Sequence, residues 1–241
     1  ATVAHGRVYP RDDRPDLLVS GTDRNALLLS DAGGLWYDAA LARGTVGDGD
    51  RHFGWGSALD DLDRDGDDDA LMVYGWLPPT DTPGENPYHQ PDEVWDNVGD
   101  GDFEARADTW GLADNGVGRG IVVADIDRDG WLDLLKRELG GGFKAYKAVC
   151  GEANWTNVRL AHPAPNTTAI GAVIELTVGE VVQRRWVLGA GTSLASNAVA
   201  GQHFGLGEAE RIDRLRVIWP DGETSTWTDL PVRVPLVLER P

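Results

Sequence analysis

Two stretches of nine residues carry aspartate at the same four positions. The stretches are DLDRDGDDD (61–69) and DIDRDGWLD (125–133), and each has Asp at positions 1, 3, 5 and 9 and Gly at position 6. Aspartates at positions 1, 3 and 5 can converge on one point if the backbone turns sharply, and glycine permits that turn because it tolerates positive φ. Such carboxylates, completed by a backbone carbonyl, form the kind of oxygen cage that calcium selects.

The spacing predicts one calcium ion in each stretch, or about two ions per chain. We expect side-chain ligands from positions 1, 3, 5 and 9 and a backbone carbonyl ligand from position 7. In the first stretch the expected ligands are Asp61, Asp63, Asp65 and Asp69, with the carbonyl of Asp67. In the second stretch they are Asp125, Asp127, Asp129 and Asp133, with the carbonyl of Trp131. Without a cation these carboxylates would repel one another and oppose folding.

An EF-hand is the first alternative for these stretches, and the residues argue against it. An EF-hand loop needs a bidentate Glu at position 12, where this sequence has Met72 and Lys136. Apolar runs follow both loops and the run IVVA (121–124) precedes the second, so the flanking segments are predicted strands. The pattern of the glycine-rich nonapeptide β-helix is absent. A solvated acidic turn without metal is the remaining alternative, and the double occurrence of the pattern argues against it.

The composition restricts the class of protein and of partner. The chain has 241 residues, 41% of them hydrophobic, and a net charge of −18. Residues 1–150 hold 30 acidic and 14 basic residues, against 10 and 8 in residues 151–241, which predicts two regions that divide near residue 150. The acidity excludes a nucleic-acid partner and favours cations or basic surfaces. The single cysteine, Cys150, excludes an intrachain disulfide, and no apolar run is long enough to span a membrane.

The similarity between the loops extends into the segments around them. Residues 54–73 align with residues 118–137 without a gap, and residues 93–105 have the pattern of a hairpin with a glycine-rich turn. A repeat of about 50–65 residues with several strands in each copy is typical of propeller blades.

An earlier and incomplete copy of the loop is expected near the start of the chain. The run PRDDRPDLLVSG (10–21) places Asp12 and Asp16 at loop positions 5 and 9. Positions 1 and 3 would be Val8 and Pro10, which have no carboxylate. We therefore expect this copy to be metal-free or to bind metal weakly.

The repeated D-x-D-x-D-G-x-x-D loops between strands resemble the FG-GAP/VCBS family, the propeller repeat of integrin α chains. The resemblance covers roughly residues 7–148. It implies an all-β fold in which propeller-like blades, partial or capped, carry calcium loops between their strands. The expected limits of this region are residues 1–150.

The C-terminal part resembles a second family through the segments NWTNVRL (154–160), NTTAIGAVIEL (166–176) and HFGLGEAERIDRLRVIWPDG (203–222). They resemble the ASPIC/UnbV domain, which follows FG-GAP repeats in secreted proteins similar to cartilage acidic protein 1 and in bacterial homologues. The residues themselves predict an all-β sandwich or barrel-like domain over 151–241. Its final strand should lie at a sheet edge or contain a bulge, because Pro235 cannot donate a hydrogen bond.

The length of the first region raises a question about closure. A closed propeller has about four to eight blades, and residues 1–150 can supply fewer than three at the expected period. Open sheet edges are avoided in natural proteins. Three solutions remain open: missing blades before Ala1, capping by the C-terminal domain, or closure by a homo-oligomer.

These features favour a calcium-binding adhesion or scaffold module that is secreted, extracellular or periplasmic and that binds a protein or glycan. We assign no catalytic residue, because the sequence lacks HExxH, zinc-ligand spacings, the GxSxG elbow, the P-loop and GxGxxG. One alternative is an enzyme of bacterial secondary metabolism with a pocket on a propeller face. The other is a purely structural fragment of a larger surface protein.

Overall fold

A computed structural model describes residues 2–8, 14–45, 52–76, 89–149, 151–189 and 201–241. These residues are nearly all in strands and loops, with one short helix, α1 (Ala40–Arg43), so the expected all-β class is confirmed. The strands of the first part are β1 (Val3–Gly6), β2 (Asp16–Val19), β3 (Thr22–Asp23), β4 (Ala26–Ser30), β5 (Trp36–Asp38), β6 (His52–Asp60), β7 (Asp69–Tyr74), β8 (Gln90–Pro91), β9 (Glu93–Asn97), β10 (Phe103–Ala105), β11 (Asn115–Gly116), β12 (Gly118–Ala124), β13 (Asp133–Glu138) and β14 (Phe143–Tyr146). The strands of the last part are β15 (Asn154–Ala161), β16 (Val173–Val178), β17 (Val181–Trp186), β18 (Gln202–Gly207), β19 (Arg211–Ile218), β20 (Thr224–Pro231) and β21 (Val234–Glu239).

Three sheets built from the first fourteen strands lie side by side. Their strand orders are β1-β2-β4-β5, β10-β9-β7-β6-β3 and β12-β13-β14, and β8 pairs separately with β11. Strand β6 contacts both β1 and β12, so the strands that precede the loops adjoin one another. No sheet closes on itself among the described residues. Neighbouring propeller blades meet in this way, and the fold is propeller-like.

Strand β7 shows how neighbouring sheets pack. All six of its residues are buried. Successive side chains of a strand point to opposite faces, so Met72 and Tyr74 join a hydrophobic cluster with the first sheet, whereas Leu71 and Val73 join a cluster with β12 and β13. A strand that is covered on both faces needs a continuous apolar run, and the segment ALMVY (70–74) provides it.

The first sheet is the earlier copy of the repeat, with a loop that is one residue longer. Strand β1 pairs with β2 so that Gly6 lies opposite Asp16. In the complete loops, position 9 lies opposite the residue just before position 1. The strand register therefore places Arg7 at position 1, and the expectation of Val8 there was wrong by one residue. The residues expected at positions 3 and 5 lie outside the described residues.

The C-terminal strands form two sheets on one core. Their orders are β18-β15-β21 and β17-β16-β19-β20, and apolar residues of both sheets share a single hydrophobic cluster. The expected sandwich architecture is confirmed. Strand β21, which contains Pro235, lies at the edge of its sheet as predicted. This cluster contains only residues after position 150, and the blade clusters contain only residues before it. The domain limits 1–150 and 151–241 stay predictions.

A buried lysine in β13 forms ion pairs with three carboxylates. Lys136 is 1% exposed, and its ammonium contacts Asp92 at 2.6 Å, Asp114 at 2.8 Å and Glu138 at 3.2 Å. Burial tends to raise the pKa of Asp114, but hydrogen bonds from Lys136, Lys144 and a tyrosine outweigh it and lower that pKa. The lysine is therefore the central positive charge of a largely buried ion-pair network.

Replacing this lysine should cost more than replacing its exposed neighbour. We expect Lys136→Met to lower the free energy of unfolding by about 3–5 kcal/mol, because buried carboxylates lose their counter-charge. Lys144, whose side chain is 42% exposed, should cost only about 0–1 kcal/mol when changed to Met. Urea unfolding of both variants measures the difference, and equal losses would contradict the assignment of Lys136 as the central charge.

Candidate metal centre

The first loop joins β6 to β7 and gathers three carboxylates. One carboxylate oxygen from each of Asp61, Asp63 and Asp65 lies within 4.8 Å of the others. The backbone turns at Arg64, with φ of 69°, and at Gly66, with φ of 104°. The N–H of Gly66 donates to Oδ2 of Asp61 at 3.0 Å. The glycine thus has the positive φ that the spacing predicted.

The second loop joins β12 to β13 in the same conformation. Its group of three carboxylates comes from Asp125, Asp127 and Asp133. Arg128 and Gly130 have φ of 64° and 87°, and the N–H of Gly130 donates to Oδ2 of Asp125 at 3.0 Å. The two loops therefore share their turn residues and their internal hydrogen bond as well as their sequence pattern.

The aspartate at position 9 ties each loop to the third strand of its sheet. In all three copies this carboxylate accepts one hydrogen bond from a backbone N–H early in the loop and another from a backbone N–H at the end of the third strand. The donors are Val8 (3.0 Å) and Ser30 (2.8 Å) for Asp16, Leu62 (2.8 Å) and Asn97 (2.9 Å) for Asp69, and Ile126 (3.1 Å) and Ala148 (3.1 Å) for Asp133. Asp16 makes these bonds in a copy with arginine at position 1, so they do not require a carboxylate at that position.

The remaining expected ligands lie in the loops but outside the three-carboxylate groups. Asp69 is not part of the first group and Asp129 is not part of the second. The backbone N–H groups of Asp67 and Trp131 donate to the carboxylate two residues earlier, at 2.9 Å in both loops. Their role as carbonyl ligands, and the side-chain roles of Asp69 and Asp129, stay predictions.

One oxygen at position 1 has no hydrogen-bond partner in either loop. Oδ1 of Asp61 and Oδ1 of Asp125 are both buried, and neither has a partner among the described residues. Buried carboxylate oxygens normally accept hydrogen bonds or bind a cation, because an unpaired one is costly. A hard cation fits this oxygen-only set of donors.

The charges of the first loop are not balanced within it. Burial raises the pKa of Asp61 well above its usual range; Arg185 of β17 lowers it in part, and Asp68, Asp65 and Asp63 raise it further. Burial, together with the nearby charges of Asp63 and Asp67, also raises the pKa of Asp65 to about 6. A divalent cation would favour the ionised carboxylates and reverse these effects.

The second loop differs because a lysine approaches it. The ammonium of Lys147 donates a hydrogen bond to Oδ2 of Asp127 and lies 3.4 Å from Oδ2 of Asp129. The hydrogen bond from Lys147 lowers the pKa of Asp127. The second loop therefore has a counter-charge from its own chain at positions 3 and 5.

Strands β17 and β18 of the C-terminal sandwich contact both complete loops and Arg7 at the start of the first copy. Arg7 donates a hydrogen bond to the carbonyl of Val182 in β17. In the same strand, Arg185 forms a buried ion pair with Asp68, at 2.5 Å. These contacts join the C-terminal sandwich to the loop end of the sheets, and the three solutions to the open blades stay predictions.

Strand β18 contains the HFGLG motif, and its residues alternate between two faces. Phe204 and Leu206 lie in the core of the sandwich. On the other face, Nε2 of His203 donates to the carbonyl of Gly130 at 2.9 Å, the N–H of Gly205 donates to Oδ2 of Asp61 at 3.0 Å, and the N–H of Gly207 donates to the carbonyl of Arg64 at 3.0 Å. One face of the motif thus packs in its own domain and the other binds both loops.

The two loops also contact each other. The guanidinium of Arg64 in the first loop stacks over the ring of Trp131 in the second, 3.5 Å from its centroid. The same guanidinium donates to the carbonyl of Ala153 at 2.6 Å. Trp155 packs against Gly130 so closely that a Cβ there would clash with the indole ring. The spacing of the aspartates carries no signal for these contacts, which depend on residues distant in the sequence.

Family comparisons agree with this architecture. Residues 77–135 match the model of an FG-GAP-like repeat, and residues 162–241 match the model of the ASPIC and UnbV family. The chain carries an FG-GAP-like repeat followed by an ASPIC and UnbV domain. The order predicted from the motifs is confirmed. The matched FG-GAP-like repeat includes the second loop, and the matched ASPIC and UnbV region includes β17 and β18.

A search of curated proteins found no match to the chain. Among the described residues, no helix has the length and apolar character needed to cross a membrane.

Neutral His203 should make stability depend on pH. Burial lowers the pKa of His203 from 6.5 to about 4, so between these values the unfolded chain binds a proton that the folded chain does not. We expect the free energy of unfolding to fall as pH drops through this range, by roughly 3 kcal/mol at most. His203→Gln, whose amide can still donate to Gly130, should lack this component. Urea unfolding of both proteins between about pH 7 and about pH 5 measures it, and identical losses would show that His203 is not held neutral.

Proposed function

We propose that this chain is a calcium-dependent scaffold module that acts outside the cell or in the cell envelope. In this proposal each complete loop binds one calcium ion, and each ion orders its loop and ties the adjacent strands together. The supporting observation is the buried oxygen without a hydrogen-bond partner at the same position of two loops of equal conformation, Oδ1 of Asp61 and Oδ1 of Asp125.

The location of the protein follows from the affinity that such loops would have. Calcium modules that work outside cells have dissociation constants of about 0.1–1 mM. Loops that share these properties would be filled where calcium is about millimolar and largely empty in the cytosol. The FG-GAP-like repeat supports the same location, because it gives the chain the architecture of a surface module.

The proposed partner is a protein with a basic surface, and a glycan is the second class to be tested. Residues 1–150 contain 30 acidic and 14 basic residues, so their field attracts positive charge. Binding to arrays of glycans and of basic and acidic secreted proteins, in calcium and in EDTA, tests this part of the proposal. Calcium-dependent binding to basic proteins that salt weakens would support it. Binding that neither EDTA nor salt changes would contradict it.

Calcium should stabilise the protein by a measurable amount. At about 10 mM calcium we expect each filled loop to add about 1–3 kcal/mol to the free energy of unfolding relative to EDTA, because calcium binds only the folded state. Thermal and urea unfolding measure the shift, and elemental analysis of the dialysed protein measures the number of bound ions. No bound calcium and no effect of EDTA would contradict the proposal.

Matched variants separate the ligands from the other acidic residues. Asp63→Asn and Asp127→Asn, both at position 3, should each remove one ion and its share of the stabilisation. Glu210→Gln, an exposed acidic residue outside the loops, should change neither. Asp16→Ala should lower stability equally in calcium and in EDTA, because its hydrogen bonds belong to the incomplete copy. A loss of bound calcium in Asp16→Ala would contradict the separation of the two roles.

A further inference from the structure

The carboxylate of Asp61 belongs to two structures at once. Its Oδ2 accepts a hydrogen bond from Gly66 in its own loop and another from Gly205 in the C-terminal sandwich, both at 3.0 Å. Its Oδ1 has no hydrogen-bond partner among the described residues, although the side chain is 1% exposed. Asp61 also contributes an oxygen to the three-carboxylate group. One side chain therefore connects the candidate calcium site to strand β18.

The contact between the first loop and β18 is close enough to exclude side chains. A Cβ at Gly205 would clash with the carboxylate of Asp61 and with the backbone of Arg64. The carbonyl of Arg64 accepts the N–H of Gly207 at 3.0 Å, so the loop backbone and β18 are held together on both sides of this approach. A small rotation of Asp61 would break the hydrogen bond from Gly205, since hydrogen bonds weaken steeply with distance and angle.

A cation in the first loop would determine whether Asp61 keeps this orientation. Three carboxylate oxygens within 4.8 Å repel one another, and the described residues of the loop contain no lysine or arginine that contacts the carboxylates of Asp63 or Asp65. The repulsion favours turning the carboxylates apart, and a bound cation removes it. Calcium on one oxygen of Asp61 would thus leave the other oxygen in place for Gly205.

The second loop touches the same strand through different groups. Its contact to β18 is the backbone carbonyl of Gly130, which accepts from His203 at 2.9 Å, and no carboxylate of this loop takes part in that bond. The ammonium of Lys147 contacts both Asp127 and Asp129, so part of the repulsion in this loop is balanced without a metal. The second loop can therefore keep its conformation, and its contact to the sandwich, with less help from calcium.

We propose that the first loop, and not the second, couples calcium binding to the docking of the ASPIC and UnbV domain on the propeller-like sheets. Asp61 is the coupling residue, and the hydrogen bond that it accepts from the N–H of Gly205 is the contact that calcium strengthens. This inference rests on the proposed function, because it requires calcium in the loops. Calcium in the first loop tightens the interface between the two regions, and calcium in the second loop stabilises only its own sheet.

Hydrogen exchange of the full chain, followed by mass spectrometry, tests this coupling. Calcium should slow exchange in peptides that cover β18 by on the order of tenfold, the size of a typical coupling between two sites. Asp63→Asn should abolish this slowing, since Asp63 belongs to the first group of carboxylates and accepts its hydrogen bond from Asp65 within the same loop. Asp127→Asn, its counterpart in the second loop, should retain it.

Exchange in β16 and β19 serves as the internal reference, because both strands lie in the sandwich core away from the loops. If Asp63→Asn disturbs the reference strands, Asp65→Asn replaces it as a second variant of the first loop. The coupling is overturned if the wild type binds calcium without any change in β18, if both loop variants lose the slowing equally, or if Asp63→Asn retains it. If the wild type binds no calcium, the proposed function fails and the coupling fails with it.

Discussion

The packing of like charges into two narrow loops is the constraint on which the rest of this structure depends. Each loop brings three carboxylate oxygens within 4.8 Å of one another, and position 1 keeps a buried oxygen with no hydrogen-bond partner among the described residues. Folding must offset this repulsion. The chain does so with turns at Gly66 and Gly130, with backbone N–H groups directed at the carboxylates, and with a hydrogen bond from Gly205 of the C-terminal sandwich to Asp61.

The aspartates of the loops have two different structural roles. Position 9 accepts backbone N–H groups from the start of its own loop and from the end of the neighbouring third strand or just beyond it in every copy, including the copy that begins with Arg7. Such hydrogen bonds to a buried carboxylate are stronger than neutral ones and hold three strands of a sheet in register. Positions 1, 3 and 5 instead gather oxygens around one point. The first copy keeps its sheet although position 1 is an arginine instead of a carboxylate.

The loops also explain how two domains with separate cores form one body. Asp61, Arg64 and Gly130 are bonded to β18, while Arg7 and Asp68 are bonded to β17. These contacts are polar and have defined directions, in contrast to the apolar clusters inside each region. Such an interface is sensitive to small shifts of the loops, because hydrogen bonds and ion pairs depend steeply on geometry. This sensitivity makes the loop conformation the point at which a ligand can act on the whole molecule.

By itself the sequence determined the local and periodic features. The sequence predicted the two complete loops, the strands around them, the glycine turns, the edge position of Pro235 and the order of the two families. Each of these features depends on residues close together in the chain or on a repeated pattern. Only the tertiary structure decided the register that moves Arg7 to position 1, the approach of Lys147 to the second loop and the pairing of Asp61 with Gly205. These contacts join residues up to 144 positions apart, and their partners are set by how sheets pack in space rather than by any spacing in the sequence.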